Sequence, residues 1–136
     1  MKESVVRILL ADDDMEDIEL MEAAIHELEP DSQINIVKSG RSAIDFLAST
    51  TSNELPCLIV LDYNMPEMNG VDVLKVIAGE QRYSKIPVVI LSTSKSEYTA
   101  RECMEHGACE YFIKPNNVKE LEGIGKRMLS ICKGAA

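Results

Sequence analysis

Carboxylate, hydroxyl and ammonium side chains follow four short apolar runs of the sequence, at the point where each run ends. These residues are Asp12, Asp13, Asp14, Asp62, Ser92 and Lys114. Clustered carboxylates repel one another unless a cation neutralises them. Oxygen ligands with few protein contacts suit Mg²⁺. If the fold brings these run ends together, the sequence predicts a magnesium site.

A magnesium site in turn indicates a phosphoryl group, because Mg²⁺ commonly bridges a few carboxylates and a phosphate. Phosphoryl transfer needs mainly positioning and charge stabilisation from the protein. Lys114 and Ser92 could supply this stabilisation. A carboxylate can itself be the nucleophile and form an aspartyl phosphate. Asp62 is the best candidate acceptor, since we expect it to lie between the acidic pair and the hydroxyl.

The elements that must position these residues alternate along the chain. Continuous apolar runs predict strands that are buried on both faces. The runs are Val5–Ala11, Ile34–Val37, Cys57–Leu61, Val88–Leu91 and Tyr111–Ile113. Apolar residues at helical spacing follow each run, and Pro30, Gly79, Gly107 and Gly134 mark where four of the five helices end.

This alternation predicts an α/β fold with right-handed crossovers. Five strand–helix units in 136 residues fit a flavodoxin-like doubly wound (βα)5 fold. Its five-stranded parallel sheet has the order 2-1-3-4-5. Function in such sheets lies at the carboxyl ends of the strands. The four strands that precede the polar residues are neighbours in this order, so we expect their side chains to share one edge.

Composition narrows the class of protein and its partners. The 136 residues suffice for one domain, and 14 basic against 23 acidic residues give a net charge of −9. An acidic chain is repelled by phosphate backbones and anionic lipid, so we predict neither nucleic acid nor a membrane as partner. The four cysteines contain no C-x-x-C pair. We therefore interpret Cys57 and Cys132 as core residues and predict a reducing, cytoplasmic location.

Taken in order, these motifs resemble the receiver domain of two-component response regulators over about Val6 to Cys132. The most specific stretch, Leu61–Gly70, is similar to the phospho-acceptor strand of the family and the Pro/Gly loop behind it. The other similar positions are the acidic pair Asp12-Asp13, Ser92 where the family has Thr or Ser, and the fifth strand Tyr111–Ile113 with Lys114-Pro115.

The resemblance implies that Asp62 accepts a phosphoryl group from a histidine kinase or a His-containing phosphotransfer domain. It implies that Asp13 and Asp62 bind Mg²⁺ through their carboxylates. Asp12 would act on the metal through water, and the backbone carbonyl of Asn64 would complete the protein ligands. The residue Asp14, which makes the acidic pair a triple, is more typical of a helix cap than of a metal ligand.

The resemblance further implies that Lys114 pairs with the phosphoryl group and that Ser92 donates a hydrogen bond to it. Tyr111 would change rotamer when Ser92 moves, which would alter the surface made by the fourth helix, the fifth strand and the fifth helix. The Lys114–Pro115 peptide bond is often cis in the family. The sequence leaves this isomer open.

Only four residues follow the last predicted helix, so residues 1–136 are predicted to be a single receiver domain without an output domain. Such a domain is a signalling phosphoprotein that acts only on its own phosphoryl group. The segment Asp12–Leu20 resembles the small stand-alone regulators paired with phytochrome-type kinases. A homodimer, the cognate kinase and the downstream protein target stay open.

Two alternatives compete with this interpretation. In a phosphatase of the haloacid-dehalogenase type, Asp12 would be the nucleophile and Asp14 the general acid. That interpretation puts Met15 where Thr or Val is expected, and it leaves the stretch from Asp62 to Gly70 unexplained. In a receiver-like binding module that takes no phosphate, the complete set of acidic, hydroxyl and lysine residues would have no purpose.

Overall fold

The computed structural model describes residues 5–134. Strands and helices alternate from one end of this range to the other. The strands are β1 (Arg7–Ala11), β2 (Gln33–Val37), β3 (Leu58–Asp62), β4 (Val88–Ser92) and β5 (Glu110–Ile113). The α-helices are α1 (Met15–Leu28), α2 (Gly40–Ser49), α3 (Gly70–Ala78), α4 (Glu97–Glu105) and α5 (Val118–Cys132). Two 3₁₀ turns, Ser52–Glu54 and Gln81–Tyr83, precede β3 and β4.

The five strands form one parallel sheet in the order β2-β1-β3-β4-β5. The predicted flavodoxin-like order is therefore confirmed. Ala11 is paired with Leu61, Asp62 with Leu91, and Ser92 with Ile113. The carboxyl ends of β1, β3, β4 and β5 consequently share one edge of the sheet.

Two apolar layers hold the sheet, one on each face. Leu9, Ile59 and Ile90 point into the layer shared with α2 and α3, and these side chains have no exposed surface. On the other face, Ile8 and Val60 pack against α1 and α5. Alternate residues of one strand thus enter opposite layers, as burial on both faces of a parallel strand requires.

The predicted burial of every strand on both faces is confirmed for the central strands and is wrong for the edge strands. Every residue of β3 and β4 is buried, whereas β2 and β5 contain only half-buried and exposed residues. An edge strand has a neighbour on one side only, so the helices cover it less completely.

The strand ends also differ from the predicted runs in a way that affects the site. The runs ended at Leu61 and Leu91, but β3 and β4 each extend by one residue to Asp62 and Ser92. Both polar residues are therefore held in the hydrogen-bonded sheet. No peptide bond between residues 5 and 134 is cis, so Lys114–Pro115 is trans, the isomer that X–Pro bonds favour.

The interpretation of Cys57 and Cys132 as core residues requires correction. Both are half-buried, and they are joined by a disulfide between the start of β3 and the end of α5, with Cα atoms 5.0 Å apart. The 75-residue separation hid this pair from any spacing rule. Within residues 5–134, no helix has both the length and the apolar character that crossing a bilayer requires.

We predict that mild oxidation stabilises the protein by about 4 kcal/mol relative to the same protein in reductant, because the disulfide closes a long loop in the unfolded chain. Urea unfolding with and without dithiothreitol measures this difference. A Cys57→Ala/Cys132→Ala variant, which keeps Cys103 and Cys109, is expected to unfold identically in both conditions. An equal wild-type midpoint in both conditions would contradict the prediction.

Candidate functional site

Three aspartates meet where β1 and β3 end. Asp12 follows β1 directly, Asp13 comes next, and Asp62 is the last residue of β3. One carboxylate oxygen from each residue lies within 4.8 Å of the other two. Asp12 and Asp62 are 2% and 5% exposed, while Asp13 is exposed. The acidic cluster is therefore mostly enclosed but open to solvent through Asp13.

Local hydrogen bonds orient the two buried carboxylates. The Asp14 N–H donates to Oδ1 of Asp12 at 2.9 Å, and the Asn64 N–H donates to Oδ1 of Asp62 at 3.3 Å. The backbone N–H of Asp12 donates to the Val37 carbonyl of β2 at 3.1 Å. Each carboxylate thus has one oxygen held by its own loop, and its second oxygen is available to other groups.

Lys114 takes up those second oxygens. Its Nζ lies 3.0 Å from Oδ2 of Asp12, 3.4 Å from Oδ2 of Asp62 and 2.7 Å from Oδ2 of Asp17. The lysine backbone N–H donates to the Ser92 carbonyl at 2.7 Å, which ties the segment after β5 to the end of β4. The ammonium is therefore enclosed by three carboxylates and lies beside the predicted acceptor.

Charge and burial act in opposite directions on this group. Burial lowers the pKa of Lys114, but hydrogen bonds to Asp17 and Asp12 and the charge of Asp62 raise it more, so the pKa lies above its usual value. Burial and the charge of Asp12 raise the pKa of Asp62 to about 7, although Lys114 opposes this. One ammonium does not neutralise the cluster, and the set of oxygen donors suits a divalent metal ion.

The hydroxyl of Ser92 belongs to a separate chain of contacts. It is fully buried at the end of β4, and its Oγ accepts a hydrogen bond from the Ser94 N–H at 3.1 Å. The Ser94 carbonyl in turn accepts from the Tyr111 hydroxyl at 2.7 Å. Within residues 5–134 no hydrogen bond joins Ser92 to the acidic cluster. Ser94 therefore connects the two predicted switch residues.

The loop behind the acceptor, residues 63–69, is fastened to the start of α3. Asn69 and Asp72 form a reciprocal capping box at this helix end. The N–H of Gly70 donates to the Tyr63 carbonyl at 2.8 Å, and a Cβ at Gly70 would lie 3.1 Å from the Tyr63 Cα. Gly70 therefore permits the close approach that holds the backbone next to Asp62.

Two results concern the acidic residues at the start of α1. Asp14 is the N-cap, as its position predicted, and it accepts from the Asp17 N–H at 3.0 Å. Asp17 makes the shortest contact with Lys114, yet sequence reasoning assigned it no role. Asp17 lies four residues after Asp13. It could have been identified only by asking which residues of α1 face the strand ends.

The chain matches a known protein family over most of its length. The profile described as the response regulator receiver domain matches residues 8–124. The chain belongs to this family. A receiver domain is a signalling domain of two-component systems, so the family match supports that interpretation over a phosphatase. The acidic cluster and Lys114 lie at the strand ends predicted for a phosphorylation and metal site.

A plant response regulator is among the curated relatives. The two-component response regulator ARR9 of Arabidopsis thaliana is 32% identical in an alignment 144 positions long, gaps included, that covers 93% of this chain and 61% of the relative. The chain thus spans about three fifths of the length of the first curated relatives it matches.

Solved structures agree with the fold and with the predicted resemblance to phytochrome-associated regulators. The phosphorylated cyanobacterial phytochrome response regulator RcpA is 28% identical, with a TM-score of 0.86 over 98% of this chain and 97% of that chain. The Mn²⁺-bound response regulator Rcp1 is 30% identical, with a TM-score of 0.79 over 92% of each chain.

Proposed function

We propose that this chain is a response regulator receiver domain that accepts a phosphoryl group on Asp62 in a Mg²⁺-dependent reaction. The observation that carries the proposal is a buried carboxylate at the end of β3 that lies in an acidic cluster and 3.4 Å from the Lys114 ammonium. The donor would be a histidine kinase or a His-containing phosphotransfer domain. The donor's P–N bond breaks as an Asp62 oxygen bonds to phosphorus, and the imidazole leaves.

The residues around Asp62 fit such a transfer. Asp13 and Asp62 would bind Mg²⁺ through their carboxylates, with Asp12 acting through water and the Asn64 carbonyl as a further ligand. When bound, the ion neutralises charge on the carboxylates and the phosphoryl oxygens. Lys114 would form an ion pair with an oxygen of the phosphoryl group. These assignments agree with the spacing of the acidic cluster and with the contacts of Lys114.

The signal would pass through Ser92 and Tyr111 to the surface of α4, β5 and α5. A phosphoryl group adds about −1.5 to −2 charges and three acceptor oxygens. Its attraction for the Ser92 hydroxyl would withdraw that group from the Ser94 N–H, and Ser94 accepts from the Tyr111 hydroxyl. The hydrogen bonds between these residues make them the elements that a local charge change would bias.

The wider setting belongs to the same proposal. Residues 1–136 would act as one receiver domain. The first and last residues of this predicted domain lie outside the described residues 5–134. The partners would be the phosphodonor and a downstream protein, with a homodimer as a further assembly to be tested. The location would be cytoplasmic, where the Cys57–Cys132 disulfide would form only on oxidation.

Intact-mass spectrometry after incubation with acetyl phosphate tests the acceptor. We expect one phosphoryl adduct on the wild type with Mg²⁺, none with EDTA and none on Asp62→Asn. Asp31→Asn is the matched control, because Asp31 is exposed before β2 at the opposite end of the sheet, and it should carry the adduct.

Amide NMR spectra with Mg²⁺ and beryllofluoride, an analogue of the phosphoryl group, form a second readout. We expect shifts at Asn64, Ser94 and Tyr111. An adduct that persists in Asp62→Asn would move the nucleophile to Asp12 and revive the phosphatase alternative. If the wild type shows no adduct and no beryllofluoride shift, the proposal is contradicted. That outcome would favour a module that takes no phosphate.

A further inference from the structure

We propose that Asp17 is a positioning residue whose ion pair holds Lys114 at the acceptor site independently of the metal-binding carboxylates. The Nζ–Oδ2 distance to Asp17 is 2.7 Å, shorter than the contacts with Asp12 and Asp62. Asp17 stands outside the group of three aspartates whose oxygens could share one metal ion. This inference rests on the proposed function and adds a residue to it.

A metal ion would compete with Lys114 for Asp12 and Asp62, so Lys114 needs a partner outside the metal site. In the structure these two carboxylates share the ammonium of Lys114. A divalent cation on the cluster would draw on the same oxygens and repel the ammonium. Asp17 would then be the partner that remains. Lysine has a long flexible stem, and without this anchor its head group would spend more time in solvent.

Both partners of the ion pair are fixed by backbone contacts. The Asp17 N–H donates to the Asp14 carboxylate, and the Asp14 N–H donates to the Asp12 carboxylate, so the loop that orients Asp12 also orients Asp17. Lys114 is held at its own N–H by the Ser92 carbonyl. The ion pair therefore joins the first turn of α1 to the segment after β5, across the carboxyl ends of the strands.

The neighbour Glu16 provides a matched control. It lies in the same turn of α1 and carries the same charge, but it is exposed and makes no ion pair with Lys114. Asp17 is 32% exposed, and ion pairs with solvent access contribute little to stability, so its variants should fold. Glu16→Gln and Asp17→Asn thus make the same charge change, but only Asp17→Asn removes the contact with Lys114.

The first readout is the rate of phosphorylation by acetyl phosphate at saturating Mg²⁺, which removes any difference in metal affinity. We expect Asp17→Asn to slow the reaction about tenfold, because misplacing a stabilising charge weakens transition-state stabilisation. Asp17→Glu should recover most of the rate, and Glu16→Gln should match the wild type. A wild-type rate in Asp17→Asn would overturn the proposal.

The second readout is the ¹⁵N-detected ammonium signal of Lys114 with saturating Mg²⁺, assigned by its loss in Lys114→Arg. We expect a protected signal in the wild type and in Glu16→Gln, and rapid exchange with solvent in Asp17→Asn. A protected signal in Asp17→Asn would contradict the proposal. If the wild type accepts no phosphoryl group, the proposed function fails, and this measurement still decides whether Asp17 holds Lys114.

Discussion

Asp62→Asn is expected to be more stable than the wild type at about pH 8 without divalent cations, by about 2–4 kcal/mol. Burial and the charge of Asp12 raise the pKa of Asp62 from 3.8 to about 7 in the folded protein. Above that pH the wild type holds an ionised carboxylate in an unfavourable place. Asparagine has nearly the same shape and no charge, so it resembles the protonated acid.

The pH dependence of this difference follows from the sign of the shift. Between the two pKa values the folded state binds more protons than the unfolded state, so wild-type stability falls as the pH rises. The advantage of Asp62→Asn should be absent below about pH 4, grow up to about pH 7 and stay constant above it. Urea unfolding across this range measures it. A variant that is less stable than the wild type at about pH 8 would contradict the prediction.

Divalent metal provides an internal check on the same variant. A ligand that binds only the folded state stabilises it in proportion to the logarithm of its concentration. Millimolar Mg²⁺ should therefore stabilise the wild type and leave Asp62→Asn almost unchanged. Asp31→Asn, remote from the site, should respond as the wild type does. A similar response in all three proteins would place the metal elsewhere.

Lys114→Ala is expected to have the opposite effect on stability, a loss of about 3 kcal/mol without metal. The lysine side chain is 9% exposed and faces three carboxylates, so its removal leaves the buried Asp12 and Asp62 without a counter-charge. The phosphorylation rate should also fall about 100-fold, because the ammonium stabilises charge on the transferred group.

Magnesium separates the two consequences of this substitution. Mg²⁺ should recover much of the lost stability, since it neutralises the same carboxylates, but the phosphorylation rate at saturating Mg²⁺ should stay far below that of the wild type. Lys119→Ala is the control, because Lys119 is exposed in the first turn of α5 and should show neither effect. A wild-type phosphorylation rate in Lys114→Ala at saturating Mg²⁺ would show that Lys114 serves only to balance charge.

The linear order of the sequence was sufficient to predict the fold and most of the site. Apolar runs that alternate with helical patterns admit few topologies, and a parallel sheet brings its carboxyl ends to one edge. For this reason the polar residues at the carboxyl ends of β1, β3 and β5 could be predicted to meet before any distance was known. Asp12, Asp62 and Lys114 do so in the structure.

Only the tertiary structure decided the contacts between residues that are far apart in the sequence and lie on different elements. Asp17 of α1 pairs with Lys114, which precedes α5, because α1 and α5 pack side by side. Cys57 pairs with Cys132 because α5 also packs against β3. The raised pKa of Asp62 likewise depends on how completely its neighbours exclude water. Local sequence determines which elements form. Burial and the distances between residues of different elements follow from how those elements pack. The ion pairs, the disulfide and the charge states depend on these distances and on burial.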